Sequence, residues 1–177
     1  MIVMSIYLKI ALGLLIAAFV CQLIGFAAPY WNSYSYSSLG LWQACNQVQC
    51  YEYHASAKIS AVRAFEVIGF IILAVVLLLL LIYICKDANP ILILISLILC
   101  FVAAGCILLG VIIWAAGGYG SGLSWAFVLC IIAGILALIA GILLIPERRS
   151  RVIIVRGGGG GTVQTRTTTT TVTVSRR

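Results

Sequence analysis

The sequence predicts an all-α membrane protein, a four-transmembrane-helix bundle with a small extracellular antiparallel β-sheet in the first loop. Of its 177 residues, 64% are hydrophobic and 8% are charged, whereas about a quarter of the residues in soluble domains are charged. Four uncharged runs, residues 10–28, 67–85, 91–116 and 123–145, can each cross a hydrocarbon layer of roughly 30 Å, which takes about 20 apolar residues. Since lipid offers no partners to backbone groups, each run is expected to be a helix.

The composition leaves little material for catalysis. The chain has one histidine and four acidic residues against 11 lysines and arginines, so an acid/base site or a carboxylate metal site is not expected. We predict no catalytic residue, no cofactor and no metal ligand. Glu66 directly precedes the second run and is expected at the membrane border, in an ion pair with Arg63. With no charge expected inside a span, a transporter or pump is disfavoured.

The connections between the runs are unequal. Lys86 to Pro90 and Gly117 to Gly122 are short, so only residues 29–63 can form a folded unit. Pro90 is expected to open the third span and Pro146 to close the fourth, because proline lacks a backbone donor. The predicted domain is therefore residues 1–146, followed at 147–177 by a disordered, basic cytosolic tail rich in glycine and threonine.

The basic residues predict the orientation. Lys9, Lys86 and the tail arginines fall on one side of the predicted spans, with Lys58 and Arg63 on the other, which places both termini in the cytosol. A cleaved signal peptide ending near Gly25 is the alternative interpretation of the first span, and it would leave three spans.

Small residues recur at every fourth position on three of the predicted helices. In membranes such stripes allow close backbone approach, so they favour one compact bundle. The partner of each stripe, another span or a second copy of the protein, stays open. The stripes are Gly13, Ala17, Cys21 and Gly25; Ser96, Cys100 and Ala104; and Ala126, Cys130 and Gly134.

Two of the seven cysteines lie in the first loop, and the other five lie within or at the end of a span. Cys45 and Cys50 enclose four residues and face the oxidising side, which predicts a disulfide across a tight hairpin. Zinc is a poor alternative, because no further cysteine completes a ligand set.

The rest of the first loop predicts short strands. Tyrosines alternate with serines before the cysteine pair, and Val48 and Cys50 alternate with glutamines, a period-2 pattern typical of strands. Trp31 and Trp42 are either part of this sheet or anchors at the membrane interface. The acidic or basic side chains in the loop before Arg63 are Glu52, His54 and Lys58, which we interpret as solvated, possible determinants of the loop's charge.

Two features are expected on the cytosolic side. Cys85 is a candidate palmitoylation site next to Lys86, with an ordinary buried cysteine as the alternative. Arg148, Arg149 and Arg151 form a basic cluster that attracts anionic lipid at about 1 kcal/mol each, unless they serve only to fix the orientation. Nucleic acid is not an expected partner, since no aromatic residue interleaves the tail arginines.

Several of these residues together carry a resemblance. The order Trp31, Gly40-Leu41-Trp42, Cys45, Cys50 and Arg63, followed by three further spans, resembles the claudin superfamily over residues 1–147. This superfamily also includes peripheral myelin protein, the epithelial membrane proteins, the lens fibre membrane intrinsic protein and the stargazin-like receptor subunits. The resemblance implies a left-handed helix bundle under an extracellular sheet. It also implies a Cys45–Cys50 disulfide. Trp31 and Gly40-Leu41-Trp42 would hold the sheet on the membrane, and Arg63 would help to anchor the sheet.

The resemblance further implies a structural protein of the plasma membrane at cell-cell contacts. Such a protein would self-associate within the membrane and between cells to form a paracellular barrier or pore. Alternatives within the superfamily are an accessory subunit of a channel or receptor and a myelin-type or epithelial-type membrane organiser. The chain departs from claudins in its short first loop, its closely spaced cysteines and its minimal second outer loop. Its end, Ser175-Arg176-Arg177, lacks the hydrophobic residue that PDZ grooves bind, so PDZ binding is not expected.

Overall fold

The protein is a bundle of four helices with a small sheet at one end. The structure, a computed structural model, describes residues 5–85, 90–119 and 122–157, with the backbone alone at 90, 118, 119 and 150–157. The helices are α1 (Ile6–Ala27), α2 (Ala57–Cys85), α3 (Pro90–Trp114), which continues into a π-helical turn (Ala115–Tyr119), and α4 (Trp125–Gly157). All four are long and apolar enough to cross a membrane. The predicted fold class is confirmed, and the chain is a multi-pass membrane protein.

Serine residues set the start of two helices. The Ser5 hydroxyl accepts a hydrogen bond from the Leu8 N–H at 3.3 Å, and the Ser56 hydroxyl accepts one from the Ile59 N–H at 3.5 Å. Both bonds satisfy donors that the first turn of a helix leaves unpaired. The helix α2 therefore begins at Ala57, well before the predicted start at residue 67. The uncharged run is shorter than α2, because the helix also includes the charged residues Lys58 and Arg63.

The fourth helix also extends beyond its predicted end. Pro146 was expected to close it but lies inside α4, which continues to Gly157. Proline removes one backbone hydrogen bond, a loss that helices in membranes tolerate. The first residues of the predicted disordered tail are thus helical, whereas residues 158–177 lie outside the described residues.

The bundle is held by close contacts between helices. Helix α1 packs mainly on α4, α2 on α3, and α3 on α4. A Cβ added at Gly25 would lie 2.8 Å from the Ala126 carbonyl oxygen, and one at Gly69 would lie 2.6 Å from the Ile107 side chain. The stripes on α3 and α4 are buried in the bundle, whereas Gly13 and Ala17 of the first stripe are exposed. Small residues at the contacts let the backbones approach, as expected where lipid provides no hydrophobic driving force.

The sheet lies between α1 and α2 in sequence. Its antiparallel strands follow chain order, β1 (Asn32–Tyr34), β2 (Ser37–Leu39), β3 (Gln43–Asn46) and β4 (Cys50–Glu52). The predicted sheet is therefore confirmed. In register, Tyr34 pairs with Ser37 and Ser37 with Asn46, so the β1–β2 and β3–β4 turns lie at the same end of the sheet.

The short second outer connection joins the edge of this sheet. The Ser33 N–H donates to the Gly122 carbonyl at 2.7 Å, and the Ser124 N–H donates to the Trp31 carbonyl at 3.0 Å. Leu123 forms an antiparallel bridge with Asn32. The edge strand β1 is thereby covered by the segment that leads into α4, which ties the sheet to the bundle.

Candidate functional site: the outer sheet and its seat

The cysteines of the first loop form a disulfide across the β3–β4 hairpin. Cys45 and Cys50 are direct cross-strand partners with a Cα–Cα distance of 4.0 Å, and the bond is formed. The turn between them is closed by Asn46, whose side-chain oxygen accepts from the Val48 and Gln49 N–H groups at 3.0 and 2.8 Å. The predicted disulfide is confirmed, and the hairpin is fixed at both its strands and its turn.

Trp31 lies under the sheet rather than at the membrane interface. It is fully buried, and its indole N–H donates to the Gly25 carbonyl of α1 at 2.8 Å. Its ring lies edge-on to Trp114 of α3, at 5.1 Å between centroids, and to Phe127 of α4, at 5.7 Å. Three helices thus contact this one ring. Of the two interpretations of Trp31, part of the sheet or an anchor at the membrane interface, the buried position favours the first.

Trp42 is less deeply placed. It is 37% exposed, its indole N–H donates to the Phe26 carbonyl at 3.1 Å, and its ring meets the Phe26 ring edge-on at 5.2 Å. Trp42 therefore fixes the rim of the sheet to the end of α1 while part of its ring stays outside.

Gly40 and Leu41 close the space between the sheet and the helices. A Cβ on Gly40 would lie 2.4 Å from the Pro29 Cα, a distance that only backbone movement could relieve. Leu41 is fully buried. The Tyr53 hydroxyl donates to the Gly40 carbonyl at 2.7 Å, so the backbone of this segment is held on both sides.

Arg63 connects α2 to the same segment. Its Nε donates to the Leu41 carbonyl at 2.5 Å, and its guanidinium lies over the rings of Trp42 and Tyr53, 5.2 and 5.3 Å from their centroids. A planar cation between two rings can combine hydrogen bonding with cation–π attraction. These contacts join α2 to the segment that contains Leu41.

The acidic and basic side chains of the loop before Arg63 lie on the surface. Glu52 ends β4, His54 follows the strand, and Lys58 is in the first turn of α2; all three are exposed. Among the described residues, no group of three or more histidine, cysteine or acidic side chains is arranged to hold a metal ion. Chemically, these exposed side chains can tune the charge of the surface at the sheet end of the bundle.

Glu66 is the residue that sequence reasoning placed wrongly. It is fully buried inside the bundle, and its Oε2 accepts a 2.5 Å hydrogen bond from Nε2 of Gln22, also fully buried on α1. Among the described contacts it forms no ion pair with Arg63, which instead binds Leu41. A Cβ at Gly110 of α3 would lie 2.6 Å from Oε1 of Glu66, so the glycine provides the space that the carboxyl group fills.

The error came from the helix boundary. With α2 predicted from residue 67, Glu66 stood at the membrane border, whereas the actual start at Ala57 places it well inside the helix. A signal was present in the sequence, since Gln22 is a polar side chain within the first apolar run. Polar groups inside membranes usually find partners on neighbouring helices.

Asn32 forms a second polar contact that the sequence did not predict. It is fully buried at the start of β1, and its Oδ1 accepts from the indole N–H of Trp114 at 2.7 Å. The sheet is therefore joined to α3 by this bond, to α1 through Trp31 and Trp42, and to α2 through Arg63. The sheet and three helices are thus cross-linked at this end of the bundle.

At the opposite end of the bundle, Cys85 is exposed at the end of α2, which leaves its thiol accessible. Arg148 and Arg149 are exposed on α4, while the side chain of Arg151 lies outside the described residues. The buried Glu147 accepts a hydrogen bond from the Ser5 hydroxyl. The start of α1 and the late part of α4 are thus fastened to each other.

No protein-family model matches the chain, and no curated protein matches it either.

Proposed function

We propose that this protein is a non-enzymatic, claudin-type structural protein of the plasma membrane that acts at contacts between cells. Its outer sheet would organise a paracellular barrier or pore. The observation that carries the proposal is a cross-linked platform whose two turns project together and leave apolar side chains exposed. Val48 is 90% exposed in the β3–β4 turn, and Tyr36 is 74% exposed in the β1–β2 turn. Contiguous exposed apolar patches mark interaction sites, whereas single exposed apolar residues are normal; the proposal treats the two turns, which lie at the same end of the sheet, as one such patch.

The proposed orientation places the sheet outside the cell and both termini in the cytosol. It is supported by the exposed basic residues Lys9, Arg148 and Arg149, which lie toward the ends of α1 and α4 that are far from the sheet. Basic residues that flank spans favour the cytosolic side.

The contact function is tested by imaging tagged protein in fibroblasts that lack junctional strands. Borders between two expressing cells are compared with borders between an expressing and a non-expressing cell. We expect enrichment only where both cells express, with loss of enrichment in Val48→Asn. Gln43→Asn, an exposed change at the end of β3 opposite to the β1–β2 and β3–β4 turns, is the control and should behave as wild type. Equal signal at both kinds of border would contradict contact across the intercellular gap.

Charge substitutions in the loop distinguish a barrier from a pore. If the sheet lines a pore, Glu52→Gln and Lys58→Gln should change the ratio of cation to anion permeability in opposite directions, since both side chains are exposed. Unchanged conductance in both variants would argue for a barrier.

A lateral accessory role, beside a channel or receptor in the same membrane, is the second candidate. The supporting observation is on α1, where Gly13 and Ala17 are exposed and, apart from the neighbouring backbone of α1 itself, no atom of the described residues lies within 4 Å of a Cβ built at Gly13. Small residues four apart on an open helix face permit close approach of another helix. Recovery of one channel protein at fixed stoichiometry, lost in Gly13→Leu, would support this role.

A further inference from the structure

A groove on the outer sheet lies apart from the seat that joins the sheet to the helices. It has a volume of about 200 Å³ and is lined by Tyr30, Tyr34 and Tyr36, by the serines between and after them, and by Cys45, Asn46 and Gln47. The three tyrosines are 41%, 47% and 74% exposed. Their rings therefore remain available for a ligand.

Contacts outside the groove hold two of these rings in place. The Tyr30 ring lies 5.7 Å from the Trp125 ring at the start of α4. The Tyr34 ring lies beside Gly122, since its Cε1 would be 3.5 Å from a Cβ built there. The Tyr34 hydroxyl accepts from the side-chain amide of Asn32 at 3.4 Å. Side chains that are already positioned lose less entropy when a ligand binds.

The chemistry of the groove selects the class of ligand. None of the described residues lining it carries a charge; they offer aromatic faces, serine hydroxyls and side-chain amides. Such a surface suits a neutral ligand with many hydroxyl groups, whose C–H faces pack against tyrosine rings while its hydroxyls bind serine, asparagine and glutamine. Sites for drug-sized molecules measure about 300–1,000 Å³, so this smaller groove suits one sugar ring.

We propose that the tyrosine groove binds a neutral hexose unit of a glycan. Tyr34 and Tyr36 provide stacking faces, and Ser35, Ser37 and Gln47 provide hydrogen-bonding groups. The sugar has two possible sources, a glycolipid headgroup in a membrane or a glycan in solution or on a protein. The groove includes Tyr36 of the β1–β2 turn and Gln47 of the β3–β4 turn, so it overlaps the surface proposed for cell contact. The two proposals are separated by their readouts, which are sugar binding to the protein in nanodiscs here and enrichment at cell borders there.

The test uses the full chain in lipid nanodiscs, with two arms. In the first arm, methyl β-D-glucopyranoside and methyl β-D-galactopyranoside are titrated and followed by saturation-transfer difference NMR. In the second, retention of glucosylceramide or galactosylceramide is compared with that of ceramide by native mass spectrometry. Binding in the first arm assigns a sugar accessible from solution, and binding only in the second assigns a glycolipid headgroup. Either result supports a hexose site.

Variants locate the binding. Tyr34→Ala should weaken the signal about tenfold, as expected from losing a stacking face. Tyr36→Ala should weaken it as well, and because this side chain projects from the surface its removal leaves the fold intact. Tyr51→Ala is the matched control, an exposed tyrosine on β4 that does not line the groove, and should bind as wild type.

Two results would overturn the proposal. One is the absence of any hexose or glycolipid signal with the folded wild-type protein. The other is equal binding by wild type, Tyr34→Ala and Tyr36→Ala. If these variants instead abolish self-association while no sugar binds, the groove is a contact for a second copy of the chain, and the glycan assignment is wrong.

Discussion

Gln22 on α1 and Glu66 on α2 form a 2.5 Å hydrogen bond inside the bundle, with both side chains fully buried. In addition, Oε1 of Gln22 and Oε1 of Glu66 have no hydrogen-bond partner among the described residues. An amide and a carboxyl group in this position are costly to bury unless paired. Their contact therefore ties α1 to α2 at one register, along with the stacked rings of Phe19 and Phe70, whose centroids are 4.9 Å apart.

Replacing one residue of this pair should destabilise the bundle more than replacing both. We expect Glu66→Ala to destabilise the bundle by about 1–2 kcal/mol, because Gln22 keeps its buried polar group without a partner. Glu66→Gln should be close to neutral, since an acceptor oxygen remains, and Gln22→Leu with Glu66→Met should recover most of the loss. Unfolding in mixed micelles measures the coupling in a double-mutant cycle. Additive effects of the single changes would show that the two residues do not interact.

Loss of the disulfide should reduce the amount of protein that reaches the cell surface. Cys45→Ala or Cys50→Ala removes a cross-link worth about 2 kcal/mol on the chain-entropy estimate for so short a ring and leaves one unpaired thiol. We expect retention in the secretory pathway, measured by surface biotinylation, and a milder defect in the double variant, which has no free thiol. Cys85→Ala, at the other end of α2, is the control. Normal surface levels of both single variants would refute a structural role for the bond.

The planar guanidinium group of Arg63, and not only its positive charge, should be needed to hold the sheet against α2. Arg63→Lys keeps the charge but loses the planar group that lies over Trp42 and Tyr53 while donating to Leu41. Hydrogen bonds of charged groups contribute about 1.5–3 kcal/mol, so hydrogen exchange across the sheet should accelerate clearly. Lys58→Arg, an exposed change on the same helix, should leave exchange unchanged. Wild-type exchange in Arg63→Lys would show that the cation alone suffices.

Two glycine substitutions should have opposite effects. Gly40→Ala forces a Cβ to within 2.4 Å of the Pro29 backbone, whereas a Cβ at Gly13 meets no atom within 4 Å. We expect Gly40→Ala to displace the sheet and lower thermal stability. Gly13→Ala should be neutral or stabilising, since alanine favours helix by about 1 kcal/mol over glycine. Thermal unfolding of both variants in the same detergent makes the comparison. Equal behaviour of the two would mean that the segment at Gly40 moves freely.

The four spans, the sheet in the first loop and the disulfide could all be predicted from local sequence patterns. These depend on local properties, namely the length of an uncharged run, period-2 alternation and two cysteines close together on one side of the membrane. Hydrophobicity fixed where helices cross, but it located their ends less well. The helix ends depend on hydrogen bonds and packing, as at the caps Ser5 and Ser56 and in the continuation of α4 past Pro146. The length of an apolar run does not predict these contacts.

The contacts between residues on different helices could not be predicted in this way and are seen in the folded bundle alone. Trp31 could have been an interfacial anchor, and the structure places it between α1, α3 and α4. Glu66 could have paired with nearby Arg63, but the helix turns its side chain inward to Gln22, while Arg63 reaches Leu41 in the loop. Such pairings join residues far apart in the chain, and the rotation and depth of each packed helix select them. Span lengths and local patterns carry no such information.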